Sequence, residues 1–170
     1  VSAEQRTGAS GFTAAEACAQ SPPNGHTIFL SPMAVLAVAP VMPGQKLTID
    51  VDRDLTPISN LAGVYNILVV GSSTPFKSVA EVIDFAKKNP GKLTYASAGN
   101  GTSQHLSGEL FKKLAAVDIL HVPSRGGAPA STDIVGEGAT MTCGTIQAFL
   151  GQARGVGVRA AAVGAAWSAR

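Results

Sequence analysis

At 170 residues with 45% hydrophobic and 14% charged side chains, the chain is too apolar for a disordered segment and long enough to bury a core. A net charge of +2, 5% aromatic residues and scattered Lys and Arg argue against a nucleic-acid partner, which would need a clustered basic face with stacking platforms. No apolar run approaches the roughly 20 residues that span a bilayer.

The chain opens on Val1 without a signal-peptide pattern, which suits a processed or a truncated chain equally. A helix is expected around Ala14 to Gln20 and a strand at Thr27 to Leu30. Ser31 to Met42 is apolar but carries Pro32 and Pro40, so it suits a short buried helix. Gly44 to Asp54 reads as a polar excursion, a small hairpin, and Ile58 to Ala62 as a second strand. The texture changes near Asn66, which places a lobe boundary there: 1–66 as one lobe and 67–170 as the other.

Beyond that boundary strand and helix signals alternate. Ile67-Leu68-Val69-Val70 is a continuous β-type run of the kind covered on both faces. Ser78 and Glu81 have capping-box spacing, and the helix they open ends at Asn89-Pro90-Gly91. Leu93 to Ser97 is a strand, Asn100-Gly101 a turn, and Leu106, Leu110 and Leu114 an apolar stripe on the next helix. Further strands are expected at Ile119 to Val122, Ala139 to Cys143 and Val158 to Val163, with helices at Ala130 to Val135 and Ile146 to Ala153. This alternation predicts right-handed βαβ units and a mainly parallel sheet.

The segment Ser97-Ala98-Gly99-Asn100-Gly101-Thr102-Ser103-Gln104-His105 carries the most chemistry. A strand ends, two glycines let the backbone turn, and hydroxyl residues open a helix. The first N–H groups of a helix lack internal acceptors, and its dipole adds partial positive charge there. A carboxylate or phosphate would find several backbone donors at such a point without any cationic side chain; an ordinary glycine-containing turn is the competing explanation. Ser31, just past the Thr27 to Leu30 strand, and Asn66 at the boundary complete the candidate ligand-binding set.

Other chemistries fare worse. Gly99 and Gly101 match part of G-x-G-x-x-G, but Gln104 stands at the third glycine and no suitable acidic residue follows. His26, His105 and His121 lack metal-ligand spacing and read as structural or rim residues, so no metal or other cofactor is expected. Ser97, His105 and Asp133 could be written as a triad, yet Ser97 is not in a G-x-S-x-G elbow. Arg125 could pair with an anion or simply form an exposed salt bridge. Cys18 and Cys143 are far apart with no CxxC pattern, and free thiols are the simplest assignment.

Several stretches together carry a family resemblance: Arg6-Thr7-Gly8-Ala9-Ser10-Gly11, Pro23-Asn24-Gly25-His26-Thr27-Ile28, Asp54-Leu55-Thr56-Pro57-Ile58, Asn89-Pro90-Gly91-Lys92-Leu93-Thr94-Tyr95-Ala96-Ser97, Gly99 to Leu106, and His121-Val122-Pro123. In this order and spacing the chain resembles the substrate-binding proteins of tripartite tricarboxylate transporters, often called the Bug family, of bacterial periplasms. The resemblance implies an α/β, periplasmic-binding-protein-like fold of type II, a Venus flytrap. One lobe would be nearly complete and the other partial, because family members extend further at both ends. It also implies a loop from each lobe clasping carboxylates, with Ser97 to His105 as the second-lobe loop. Where the family usually carries an aromatic residue and a lysine, this chain has Ser124 and Arg125.

The expected function is capture of a small carboxylate (a di- or tricarboxylate, an amino acid or an aromatic acid) in the periplasm. Delivery to a membrane permease would follow, without catalysis. Self-association of the shortened chain is a further expectation. An effector-binding domain of a transcription regulator, or an α/β enzyme, are the alternatives.

Overall fold

The computed structural model describes residues 1–154 and 157–163. The chain divides into two compact units, Val1–Ala62 and Gly63–Arg170. The end of the lobe expected over 67–170 lies outside the described residues.

In Val1–Ala62 the expected first helix forms as α1 (Phe12–Ala19), with Gly11 in a left-handed conformation just before it. Phe12 and Ala15 pack with Val35, Ala39 and Val51 into a small core. The strands expected at Thr27 to Leu30 and Ile58 to Ala62 do not form among the described residues. A strand is stabilised by a neighbour's ladder, and neither segment pairs with one. Most of their apolar side chains are accordingly exposed, Ile28 and Leu30 at 73% and Ile58 at 78%, while Phe29 packs against the small core. The expected hairpin at Gly44 to Asp54 is replaced by a helical turn, α2 (Val51–Asp54). Asp50 caps it, accepting the Asp52 and Arg53 N–H groups at 3.1 and 3.2 Å. That local bond competes directly with a cross-strand ladder. The Ser31 to Met42 segment is only partly the buried helix expected. It forms a π-helical turn at Ala34–Val38 and a 3-10 turn at Ala39–Val41 that accommodates Pro40 near its start. Met33, Leu36 and Val41 stay exposed.

Gly63–Arg170 holds a five-stranded sheet. Its strands are β1 (Asn66–Gly71), β2 (Thr94–Ser97), β3 (Leu120–Pro123), β4 (Met141–Thr145) and β5 (Val158–Val163), in the order β3-β2-β4-β1-β5. The helices are α3 (Val79–Lys88), α4 (Ser103–Ala115), α5 (Gly127–Val135) and α6 (Ile146–Arg154). β2 runs parallel to β3 and β4, but β1 runs antiparallel to both β4 and β5. The sheet is therefore mixed, which corrects the mainly parallel expectation. The parallel expectation rests on the alternation of strands and helices, which holds for β2, β3 and β4 but does not fix the direction of β1. Ile67 to Val70 are indeed no more than 7% exposed, but covering both faces constrains packing, not strand direction.

Each face has its own core. On one, Leu68, Val70, Tyr95, Met141 and Cys143 meet Val82 and Ala86 of α3, with Phe111 and Ala115 of α4 packed against them. On the other, Ile67, Val69 and Ala96 meet Ala130 and Ile134 of α5 and Phe149 of α6. Each fully buried Val, Leu, Ile, Phe or Met among them contributes about 1.5–3 kcal/mol. Ser78 caps α3 by accepting the Glu81 N–H at 3.3 Å, and the Glu81 carboxylate accepts the Lys77 N–H at 2.8 Å. The leucine stripe of α4 forms as expected on one face of the helix, and that face turns outward: Leu106, Leu110 and Leu114 are 39%, 55% and 78% exposed. The inward face is Gln104, Gly108, Phe111 and Ala115. Gly108 lets the helix backbone rest on the Tyr95 ring, where a Cβ would lie 2.4 Å from Cε2.

Candidate functional site

Because β2, β3 and β4 are mutually parallel, their C-terminal ends lie on one edge of the sheet and lead into α4, α5 and α6. Antiparallel β1 brings its first residue to the same edge, with Asn66 opposite Thr145. This edge gathers every predicted ligand residue except Ser31. Ser31 belongs to the other unit, where its hydroxyl donates to the Pro32 carbonyl at 3.1 Å.

The β2–α4 loop is ordered by its own side chains. Gly99 and Gly101 have φ of 127° and 78°, the left-handed region that glycine adopts without penalty. Thr102 caps α4, its Oγ1 accepting the His105 N–H at 3.4 Å and donating to the Gly99 carbonyl at 2.7 Å. The Ala98 N–H donates to Gln104 Oε1 at 2.7 Å, the Gly99 N–H to Ser97 Oγ at 3.2 Å, and the Gly101 N–H to His105 Nδ1 at 3.2 Å. The expectation of a row of free loop amides is thus corrected: polar side chains of the loop occupy those of Ala98, Gly99 and Gly101. The open donors move one step on, to the Ser103 and Gln104 N–H groups in the first turn of α4. Neither has an acceptor among the described residues, as the geometry of a helix start requires.

Beneath the loop lies a stack that sequence reasoning treated as peripheral. The His121 ring sits 4.7 Å from Tyr95 and 4.5 Å from His105. Its Nε2 is 2.7 Å from Ser97 Oγ. Burial, reinforced by the nearby His105, holds its pKa below the ordinary histidine value, so the neutral ring is favoured. Tyr95 donates to Glu109 at 2.6 Å, and Lys112 donates to the same carboxylate at 2.9 Å. Burial alone would raise the Glu109 pKa, but these two hydrogen bonds and the nearby Lys112 and His105 charges outweigh it and lower it. Asn66 Nδ2 donates to Ser107 Oγ at 3.0 Å, one turn along α4 from Ser103. Its Oδ1 is buried with no partner among the described residues.

The triad written from the sequence does not assemble. His105 Nδ1 serves Gly101, and Asp133 accepts from Ser124 Oγ. The Ser97–His121 contact has the spacing of a nucleophile and its base, but Ser97 is 0% exposed and offers no approach to a substrate. Among the described residues no cluster of metal-ligating side chains occurs, and no helix is long and apolar enough to cross a membrane.

Residues 1–166 match the family described as "Tripartite tricarboxylate transporter family receptor". The chain belongs to that family. It is 36% identical over 135 residues to the UPF0065 protein of the tcbD-tcbE intergenic region of Pseudomonas sp. strain P51, covering 78% of this chain and 39% of that protein. BugT of Bordetella pertussis is 30% identical over 165 residues, covering 94% of this chain and 49% of BugT. Among solved structures, Rpa4515 of R. palustris with adipate superposes with a TM-score of 0.90 at 32% identity, over 95% of this chain and 54% of that one. MatC of Rhodopseudomonas palustris with bound malate gives 0.81 at 28%, over 94% and 54%. The chain thus spans about two fifths to one half of the relatives it matches. The α/β fold is that of periplasmic binding proteins of this type.

Family membership returns attention to residues that the sequence reading passed over. Gln104 entered as a member of the loop and as a break in a nucleotide fingerprint, and His121 as a structural or rim residue in a stretch of family resemblance; neither stood in the candidate ligand-binding set. Signals for both were present: a long amide side chain in the first turn of a helix, and a histidine on the strand next to the loop.

Proposed function

We propose that the chain forms part of a periplasmic solute-binding protein that captures a small carboxylate at the start of α4 and presents it to the membrane permease of a tripartite tricarboxylate-type transporter. The supporting observation is the helix start itself. Two unpaired amides, at Ser103 and Gln104, sit at the positive end of a thirteen-residue helix behind a turn whose other donors are already held in place. Relatives of the same fold were solved with adipate and malate, both dicarboxylates. A neutral His121 beneath the loop leaves recognition to amides and hydroxyls rather than to a fixed cation. Binding would shift an open–closed equilibrium only in so far as one state holds the acid better.

Ser103→Pro tests the site directly. Position N1 tolerates proline, and Thr102 already has the extended backbone that proline imposes on its predecessor, so the change removes one N–H with little cost to the helix. Titration calorimetry with succinate, malate and adipate should show affinity falling by about tenfold or more, the loss of one charge-assisted hydrogen bond. Equal affinity for parent and variant would move the site elsewhere.

A further inference from the structure

Two of the chain's three histidines meet beneath the β2–α4 loop. His105 stands in the first turn of α4, and its ring turns back so that Nδ1 accepts the Gly101 N–H at 3.2 Å. That bond uses the Nδ1 lone pair, so it exists only while the ring is neutral and its proton sits on Nε2. The His121 ring lies 4.5 Å away, and its own Nε2 is engaged with Ser97 Oγ at 2.7 Å. Ser97 Oγ in turn accepts the Gly99 N–H. The pair thus holds both glycines of the loop, Gly99 by way of Ser97 and Gly101 directly.

A proton arriving at His105 changes two things at once. The Gly101 N–H loses its acceptor, and a full positive charge appears where the helix dipole already places a partial one. An anion on the Ser103 and Gln104 amides relieves both. Only one ring takes the proton, because two imidazolium rings this close repel each other. Burial keeps His121 neutral, which leaves His105. The other groups around the pair suit a single added charge. β2 brings Tyr95, bonded to Glu109, and Glu109 also accepts from Lys112 along α4. In β4 only the buried Cys143 thiol titrates, and β1 holds no titratable residue. α3 shares this core but keeps Glu81, Asp84, Lys87 and Lys88 exposed.

We propose that carboxylate capture at the start of α4 draws one proton from solvent onto His105 Nδ1, so that binding and protonation strengthen each other. The ring gives up the Gly101 N–H and stands beside the anion as an imidazolium. Such linkage is reciprocal: what the ligand gains from the proton, the proton gains from the ligand. Affinity therefore rises as pH falls through the histidine range, while the ligand's carboxylates stay ionised. The proposal rests on the α4 reading above and adds to it a proton that the ligand does not carry.

The test is titration calorimetry with succinate near neutral pH, run in phosphate and in Tris. The two buffers differ in the heat of giving up a proton, so a difference in observed heat counts the protons taken up. The parent should take up a substantial fraction of a proton per succinate. It should also bind about threefold or more tighter at about pH 6.5 than at about pH 8. His105→Asn, whose Oδ1 can still accept the Gly101 N–H, should give the same heat in both buffers. In the parent, the His105 ring signal in NMR should move toward its protonated position as succinate is added at constant pH. Equal heats in both buffers for a parent that binds would overturn the proton coupling and leave the seat standing. Uptake that survives His105→Asn would overturn the assignment to this ring. A parent that binds no succinate removes both.

Discussion

In Gly63–Arg170 the β-type runs found partners: β1 is buried between β4 and β5, and helices cover both faces of the sheet. In Val1–Ala62 the comparable runs, Thr27 to Leu30 and Ile58 to Ala62, have similar propensity but no ladder, and apart from Phe29 their apolar side chains face solvent. The difference is one of neighbours rather than of composition. A helix such as α1 or α3 satisfies its own backbone, so its formation follows from local sequence. A strand is a claim about a second segment, and it holds only when that segment is there.

The sharpest way to break this contrast is in the larger core. Tyr95→Ala removes a fully buried ring from beneath both the loop and the α3–α4 face, and should cost about 3–5 kcal/mol in urea unfolding followed by circular dichroism. Gly108→Ala, which drives a methyl into that ring, should cost about 1–3 kcal/mol despite the gain in helix propensity. In the smaller unit, Val35→Ala should cost about 1–2 kcal/mol in the same measurement, because its core is shallow and edged by exposed chain. A Val35 effect as large as that of Tyr95 would erase the contrast. Ser78→Ala should cost about 1 kcal/mol through loss of the α3 cap.

The smallest expected effect is on pH dependence. The folded-state pKa of His121 lies below its ordinary value of 6.5, so between the two values the unfolded chain binds more protons than the folded one. Stability should therefore fall as pH drops below about 6.5 and stop falling, for this group, once the folded-state pKa is passed. His121→Gln, which keeps a polar partner for Ser97, should flatten that part of the profile. An unchanged slope would place the titration on another group.

Much of the larger unit could be read from residues alone. The apolar run of β1, the Ser78–Glu81 spacing and the turn at Asn100-Gly101 are local signals, and each element formed within a few residues of its expected place. Strand direction was not legible, because Ile67 to Val70 present the same apolar faces whichever way they run. For the leucines of α4, spacing shows that three residues share a face, not which face is inside. Gly108, the smallest residue on the helix, decided that by admitting Tyr95. The loop was legible as a helix start, but not the way its own side chains occupy its amides, since that depends on where Gln104 and His105 turn back.

Each unit also carries one cysteine, and the two differ in reach. Cys143 lies in the larger core, and burial raises its pKa to about 11, so its sulfur is both shielded and held as the unreactive thiol. Cys18, on α1, is only partly covered. A disulfide-exchange dye added to the native chain should therefore label one sulfur quickly and the second only as fast as the sheet opens. The protein comes with its own pair of chemical clocks, one for each unit, and needs no engineered probe to time them separately.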